Sequence, residues 1–134
     1  MNLSEIDALR QPGRVVTGMA AMLLPFTAKG EIAEDAYAAC LQETAAAGLT
    51  PAVNMDTGYV NLLTDAEKAR VLKLTRQTLG GRPFVAGAYI EGQVGDEGDV
   101  ADLYRREIGL IAEHGGVPIL FQTARLHNPG TTSS

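Results

Sequence analysis

One pattern recurs three times along the chain: an amphipathic helix, a glycine, a short apolar strand and then a polar loop. This is the order of consecutive βα units. The helix-closing glycines are Gly48, Gly80 with Gly81, and Gly115 with Gly116. Their spacing of about 33 to 35 residues is the share of one unit in a chain that repeats βα eight times.

The periodicity predicts helices over residues 33–47, 64–79 and 99–114. In the first, Tyr37, Cys40, Leu41 and Thr44 share a face, so the lone cysteine is expected to be a small core residue. Gln42 and Glu43 face water. In the second, Thr64 and Glu67 have the spacing of a capping box, in which each side chain satisfies the other's free backbone N–H. Val71, Leu72, Leu74, Thr78 and Leu79 then form the buried face, with Arg70, Lys73 and Gln77 outside. The third buries Val100, Leu103, Tyr104, Ile108 and Ile111, and Arg105 and Arg106 face solvent. Each helix ends on a glycine suited to the left-handed C′ position.

The predicted strands are residues 15–24, 51–55, 83–89 and 117–122. They are apolar along their length instead of alternating, as parallel strands covered on both faces are. A short helical turn is expected over residues 4–10. The last strand has no covering helix after it. An open doubly wound domain remains possible, and a half barrel accounts equally well for the missing helix. The fold class expected from the pattern is α/β with parallel βα units, and the resemblance to a known family carried by residues 17–123 implies that they form the N-terminal half of a (β/α)8 TIM barrel. Residues 1–125 make up this partial barrel of four strands and three helices, and residues 126–134 a flexible tail.

Charge narrows the partners. Eleven Lys and Arg are scattered among sixteen acids, for a net charge of −5, so no nucleic acid and no membrane surface is expected to bind. The longest apolar run, residues 19–26, is too short to cross a bilayer, and the acidic start is unlike a secretory signal. The expected location is cytoplasmic. One cysteine allows no disulfide framework. His114 closes a helix, where it meets the helix dipole, and His127 lies in the tail. Neither has a partner at ligand spacing, so no metal and no cofactor are expected.

In parallel α/β folds the loops after the strands' carboxyl ends gather on one side and carry the active site. Here they contain Pro25-Phe26-Thr27, Asn54-Met55-Asp56-Thr57-Gly58-Tyr59, Tyr89-Ile90-Glu91-Gly92 and Gln122-Thr123-Ala124-Arg125. In the second, a carboxylate and a hydroxyl precede a glycine that can turn backbone N–H groups toward an anion. The same residues also make an ordinary Asp-Thr-Gly turn. Gly92, Gly95 and Gly98 imitate a phosphate loop's spacing, but no Gly-Lys-Ser follows, and a mobile acidic loop is the expectation.

Residues 18–27, Gly-Met-Ala-Ala-Met-Leu-Leu-Pro-Phe-Thr, followed by Gly30-Glu31-Ile32, resemble the opening of the dihydrodipicolinate synthase and N-acetylneuraminate lyase family. The resemblance continues through Ala47-Gly48-Leu49. Asp56-Thr57-Gly58-Tyr59 stands where the family has Thr-Thr-Gly-Glu, Leu62 to Lys68 is similar to its second helix start, and Arg82 to Gly87 to its third strand. It spans residues 17–123. The ordered set, more than any single piece, carries it.

The resemblance implies class I aldolase or lyase chemistry, in which a lysine amine forms a Schiff base with pyruvate or a related 2-oxo acid. In the family that lysine is on the sixth strand, beyond these 134 residues. Lys29, Lys68 and Lys73 lie in a loop or on an outer helix, so the chain alone is expected to be inactive. The resemblance implies that Thr57, as a catalytic residue, and Gly58 hold the ligand's carboxylate; Asp56 and Tyr59 of the expected binding set replace the family's Thr and Glu, and Arg125 supplies a cation where the family's fourth strand leads to a Tyr-rich turn. Asp56 in place of a threonine puts a carboxylate beside an incoming carboxylate, which repels unless protonated or paired. A different acceptor or leaving group is therefore expected. The expected partners are a small-molecule 2-oxo acid and, because a half barrel leaves open edges, further copies in a homo-oligomer. A small α/β anion-binding or assembly domain without catalysis is the alternative.

Overall fold

The protein is described by a computed structural model covering residues 2–91 and 99–124. The expectations for Gly92, Gly95, Gly98, Arg125, His127 and the 126–134 tail fall outside the described residues.

Four strands, β1 (Met19–Ala21), β2 (Thr50–Val53), β3 (Val85–Ala88) and β4 (Val117–Leu120), form one sheet in the order β1-β2-β3-β4. Every pairing is parallel. A six-residue helix, α1 (Leu3–Ala8), opens the chain with a capping box between Asn2 and Glu5 and buries nothing. Each strand pair is joined through one helix: α2 (Glu34–Ala46), α3 (Asp65–Leu79) and α4 (Val100–Glu113). Sequential parallel strands with a helix in every crossover make this the partial (β/α)8 barrel the sequence predicts.

The helix boundaries follow local chemistry. Thr64 accepts from the Glu67 N–H, and Glu67 in turn accepts from the Thr64 N–H at 2.8 Å, fixing the start of α3. At its end Gly80 takes φ 57°, the left-handed cap, and Gly48 and Gly115 follow α2 and α4 with φ 79° and 77°. β1 is shorter than expected. Its register with β2 begins at Met19↔Thr50, and the residues before Thr50 belong to the turn leaving α2, so Val15 and Val16 have no strand beside them and are exposed.

The core lies between the sheet and its helices. Met22, Leu24, Val53, Phe84, Ala86 and Ala88 from the strands and their ends meet Tyr37, Leu41, Val71, Leu72, Leu79 and Ile111 from the helices. Full burial of a side chain such as Leu72 or Phe84 contributes roughly 2 to 3 kcal/mol. Cys40 corrects the sequence reading, because it is exposed. Tyr37 and Leu41, four residues apart, already fill the buried stripe of α2, and Cys40 falls on its flank. Three buried residues on the helices were not foreseen: Thr75 on α3, and two charged residues, Lys68 on α3 and Glu107 on α4, which are 1% and 3% exposed.

Side chains alternate along a strand, so residues one step from the core set point to the sheet's other face. That face carries Met19, Ala21 and Leu23 of the first segment and, by register with Val85 and Gly87, Val117 and Ile119 of β4. It is apolar and open along its outer strands, with Met19, Leu23 and Val117 each about 60% exposed, while Ala52 and Val85 on the central strands are buried.

Candidate active site at the strands' carboxyl ends

β2 leaves the sheet through Asn54, which adopts φ 51°, and the chain then tightens into a 3-10 turn over Asp56–Gly58. Tyr59 closes that turn in the left-handed conformation at φ 58°. The turn is anchored to the neighbouring segment, because the Thr57 hydroxyl donates to the Met22 carbonyl oxygen at 3.0 Å. Gly58 is buried against the same carbonyl, which would lie 3.4 Å from an added Cβ. Tyr59 reaches toward the loop after β1, where its ring centroid is 6.1 Å from that of Phe26.

Asp56, Thr57, Gly58 and Tyr59 are thus gathered at one corner of the strand ends, joined to the β1 loop. Their hydrogen bonds differ from a plain anion cradle. Gly58 N–H donates to Met55 O at 2.9 Å and Tyr59 N–H to Asp56 O at 3.0 Å, so the 3-10 turn itself uses both. With its proton directed at Met22, the Thr57 oxygen presents lone pairs outward. The Asp56 side chain is exposed at the start of the turn.

A second polar group lies across the β3 and β4 ends. Register aligns Gly87 with Ile119, and two residues further on Tyr89 and Phe121 meet edge to face with centroids 5.7 Å apart. One more step up, Glu91 Oε1 accepts from the Thr123 hydroxyl and from the Ala124 N–H, both at 2.6 Å. These bonds fix the carboxylate at the mouth. Nearby, the Tyr104 hydroxyl donates to the Phe121 carbonyl. Burial, and then the Glu91 carboxylate, hold the Tyr104 phenol above its ordinary pKa. The sequence placed Glu91 and Thr123 in candidate loops without pairing them. The signal was available, since both lie three residues past the ends of strands whose last residues, Ala88 and Leu120, are register partners.

Gly87 makes the central crossing possible. A Cβ there would run into the Asn54 carbonyl oxygen and the Phe121 ring. The close approach of β2 and β3 at the mouth therefore requires a residue without a side chain.

Among the described residues, no group of three or more His, Cys, Asp or Glu side chains is arranged to hold a metal ion. His114 Nδ1 lies 2.9 Å from Leu110 O, capping α4 through its ring as its position at the helix end suggests. No helix among the described residues is long and apolar enough to cross a membrane.

No family model and no curated protein matches the sequence. Solved structures do match in shape. A Pseudomonas aeruginosa protein assigned as a dihydrodipicolinate synthetase superposes with a TM-score of 0.67 at 16% identity, over 84% of this chain and 39% of its own. The dihydrodipicolinate synthase of Aquifex aeolicus gives 0.61 at 18% identity, over 83% of this chain and 38% of its own. The chain thus spans well under half the length of either structure. What it shares with them is the fold: four consecutive parallel strands linked by helices, part of a (β/α)8 barrel.

Proposed function

We propose that these residues form the N-terminal part of a Schiff-base aldolase or lyase of the dihydrodipicolinate synthase and N-acetylneuraminate lyase family, acting on pyruvate or a related 2-oxo acid. The observation that carries this reading is the Asp56–Tyr59 turn at the end of β2, pinned to Met22 by Thr57, in a sheet shaped like the two synthase structures. The reactive lysine belongs to a strand outside this sequence. There its amine would condense with the keto carbonyl, releasing water, and the iminium would act as the electron sink for C–C bond formation or cleavage.

Thr57 holds the turn against the segment after β1, with Gly58 beside it and Tyr59 against Phe26. Asp56 disfavours a second anion at the same spot and favours a ligand that offers a hydroxyl or ammonium donor there. Arg125, outside the described residues, is the proposed cation for the ligand's carboxylate. A cytoplasmic location goes with this reading.

The test is reductive trapping on the gene product purified from its own cells. Pyruvate and borohydride should leave a covalent adduct on a lysine absent from these 134 residues. The 134-residue chain alone should take none at Lys29, Lys68 or Lys73. Stoichiometric trapping on one of those three would overturn the assignment of the lysine, and no trapping on any form with a panel of 2-oxo acids would overturn the chemistry.

A second reading is favoured by the open face, where Met19, Leu23 and Val117 are exposed. Under it the four strands assemble with further βα units, from another copy or another chain. Sedimentation at rising concentration would show a species larger than 14.1 kDa; a monomer throughout would remove this reading.

A further inference from the structure

Beneath the Asp56–Tyr59 turn, a polar chain runs through the helix layer where apolar packing would suffice. Asn54, the residue that starts the turn, is 4% exposed and holds φ 51°. The left-handed region disfavours residues with a Cβ, asparagine least. Its Nδ2 donates to the carbonyl oxygen of Lys68 at 3.3 Å, and its Oδ1 has no partner among the described residues. Lys68 lies in the first turn of α3, and its ammonium is buried. Nζ stands 3.3 Å from each oxygen of Glu107 on α4 and 3.1 Å from the exposed Asp65 carboxylate.

Such a pair is a poor way to gain stability. Desolvating a carboxylate and an ammonium generally costs as much as their attraction returns, and well-packed apolar residues of similar volume do as well or better. What a buried pair does supply is a fixed geometry, since both charges must meet. Here that geometry sets the depth of the first turn of α3 against α4. It thereby fixes the Lys68 carbonyl, to which the Asn54 amide is bound.

We propose that Asn54, Lys68 and Glu107 are positioning residues that hold the Asp56–Tyr59 turn in register with α3 and α4, opposite the Thr57 anchor on Met22. The turn is then held from two sides: by a hydroxyl on the β1 side and by this chain on the helix side. The proposal builds on the reading of that turn as the binding element, but its test uses no ligand.

Amide hydrogen exchange of the 134-residue chain measures it. In Asn54→Gly, which keeps the left-handed conformation and removes the amide, protection of the Gly58 and Val60 N–H groups should fall at least tenfold relative to Leu72 and Ala86. The Lys68→Met/Glu107→Leu pair should show the same local loss, with the reference amides unchanged or better protected. If turn and reference amides change together in both variants, or the turn keeps its protection, the proposal is overturned. Should the double variant fail to fold, Asn54→Gly alone decides. Failure of pyruvate trapping would leave this outcome untouched, so the two ideas fall separately.

Discussion

Lys68 Nζ and the Glu107 carboxylate meet at 3.3 Å across the seam between α3 and α4, with the two side chains 1% and 4% exposed. They are 39 residues apart in the chain. Each is charged, each lies on the inner side of its helix, and each makes the other tolerable.

Removing one partner should therefore cost more than removing both. Lys68→Met leaves a buried carboxylate that keeps Arg106, 3.8 Å away and more than half exposed, among its described neighbours. A loss of about 3 kcal/mol is expected, at the lower end for broken buried pairs because of that neighbour. Lys68→Met/Glu107→Leu should recover most of it. Urea denaturation midpoints of the three proteins check the order.

Tyr37 gives the chain an alkaline limit. Burial pushes its phenol up to about 12, opposed by its hydrogen bond with Thr75, whose own proton goes to Val71 O at 2.7 Å. A folded pKa above the unfolded value of 10.0 means that its stabilising contribution is whole below pH 10 and is lost as pH rises toward 12. Tyr37→Phe should lose up to about 1 kcal/mol at neutral pH from the missing hydrogen bond, and flatten this fall. Denaturation midpoints between pH 9 and 12 are the measurement.

The α3 cap acts at the other end of the scale. Backbone and then side-chain hydrogen bonds from Thr64 lower the Glu67 pKa below 4.5. A depressed folded value contributes stability above the unfolded pKa, lost as pH falls through the folded one. Glu67 is mostly solvated, so solvent screening keeps this contribution to tenths of a kcal/mol. Thr64→Ala should cost about 1 kcal/mol at pH 7 and weaken the acid dependence below pH 5. Thermal melts from pH 3 to 7 compare the two.

Gly87→Ala tests the crossing of β2 and β3. The new methyl meets the Asn54 carbonyl, which is backbone and cannot swing away, as well as the Phe121 ring. A loss of roughly 3 kcal/mol is expected, near the top of the overpacking range. Ala86→Gly, one residue away on the core side, should cost less than this. If Gly87→Ala unfolds at the wild-type urea concentration, the close approach is not required.

The sequence by itself determined the alternation of helices and parallel strands, the α3 capping box, the glycine-closed helix ends and the corner that gathers Asp56 to Tyr59. These rest on contacts within one helical turn, on hydrophobic period and on residues with special backbone freedom, all of which are local properties of the chain. Only the tertiary structure decided that Cys40 faces solvent, that β1 begins at Met19, and that Lys68, a nominally outward lysine, pairs with Glu107. It likewise brought Glu91 to Thr123, 32 residues away, and gave the turn's N–H groups to its own carbonyls. These depend on how elements dock. Docking depth and strand register are set by the summed packing of many side chains, and no local pattern carries that sum.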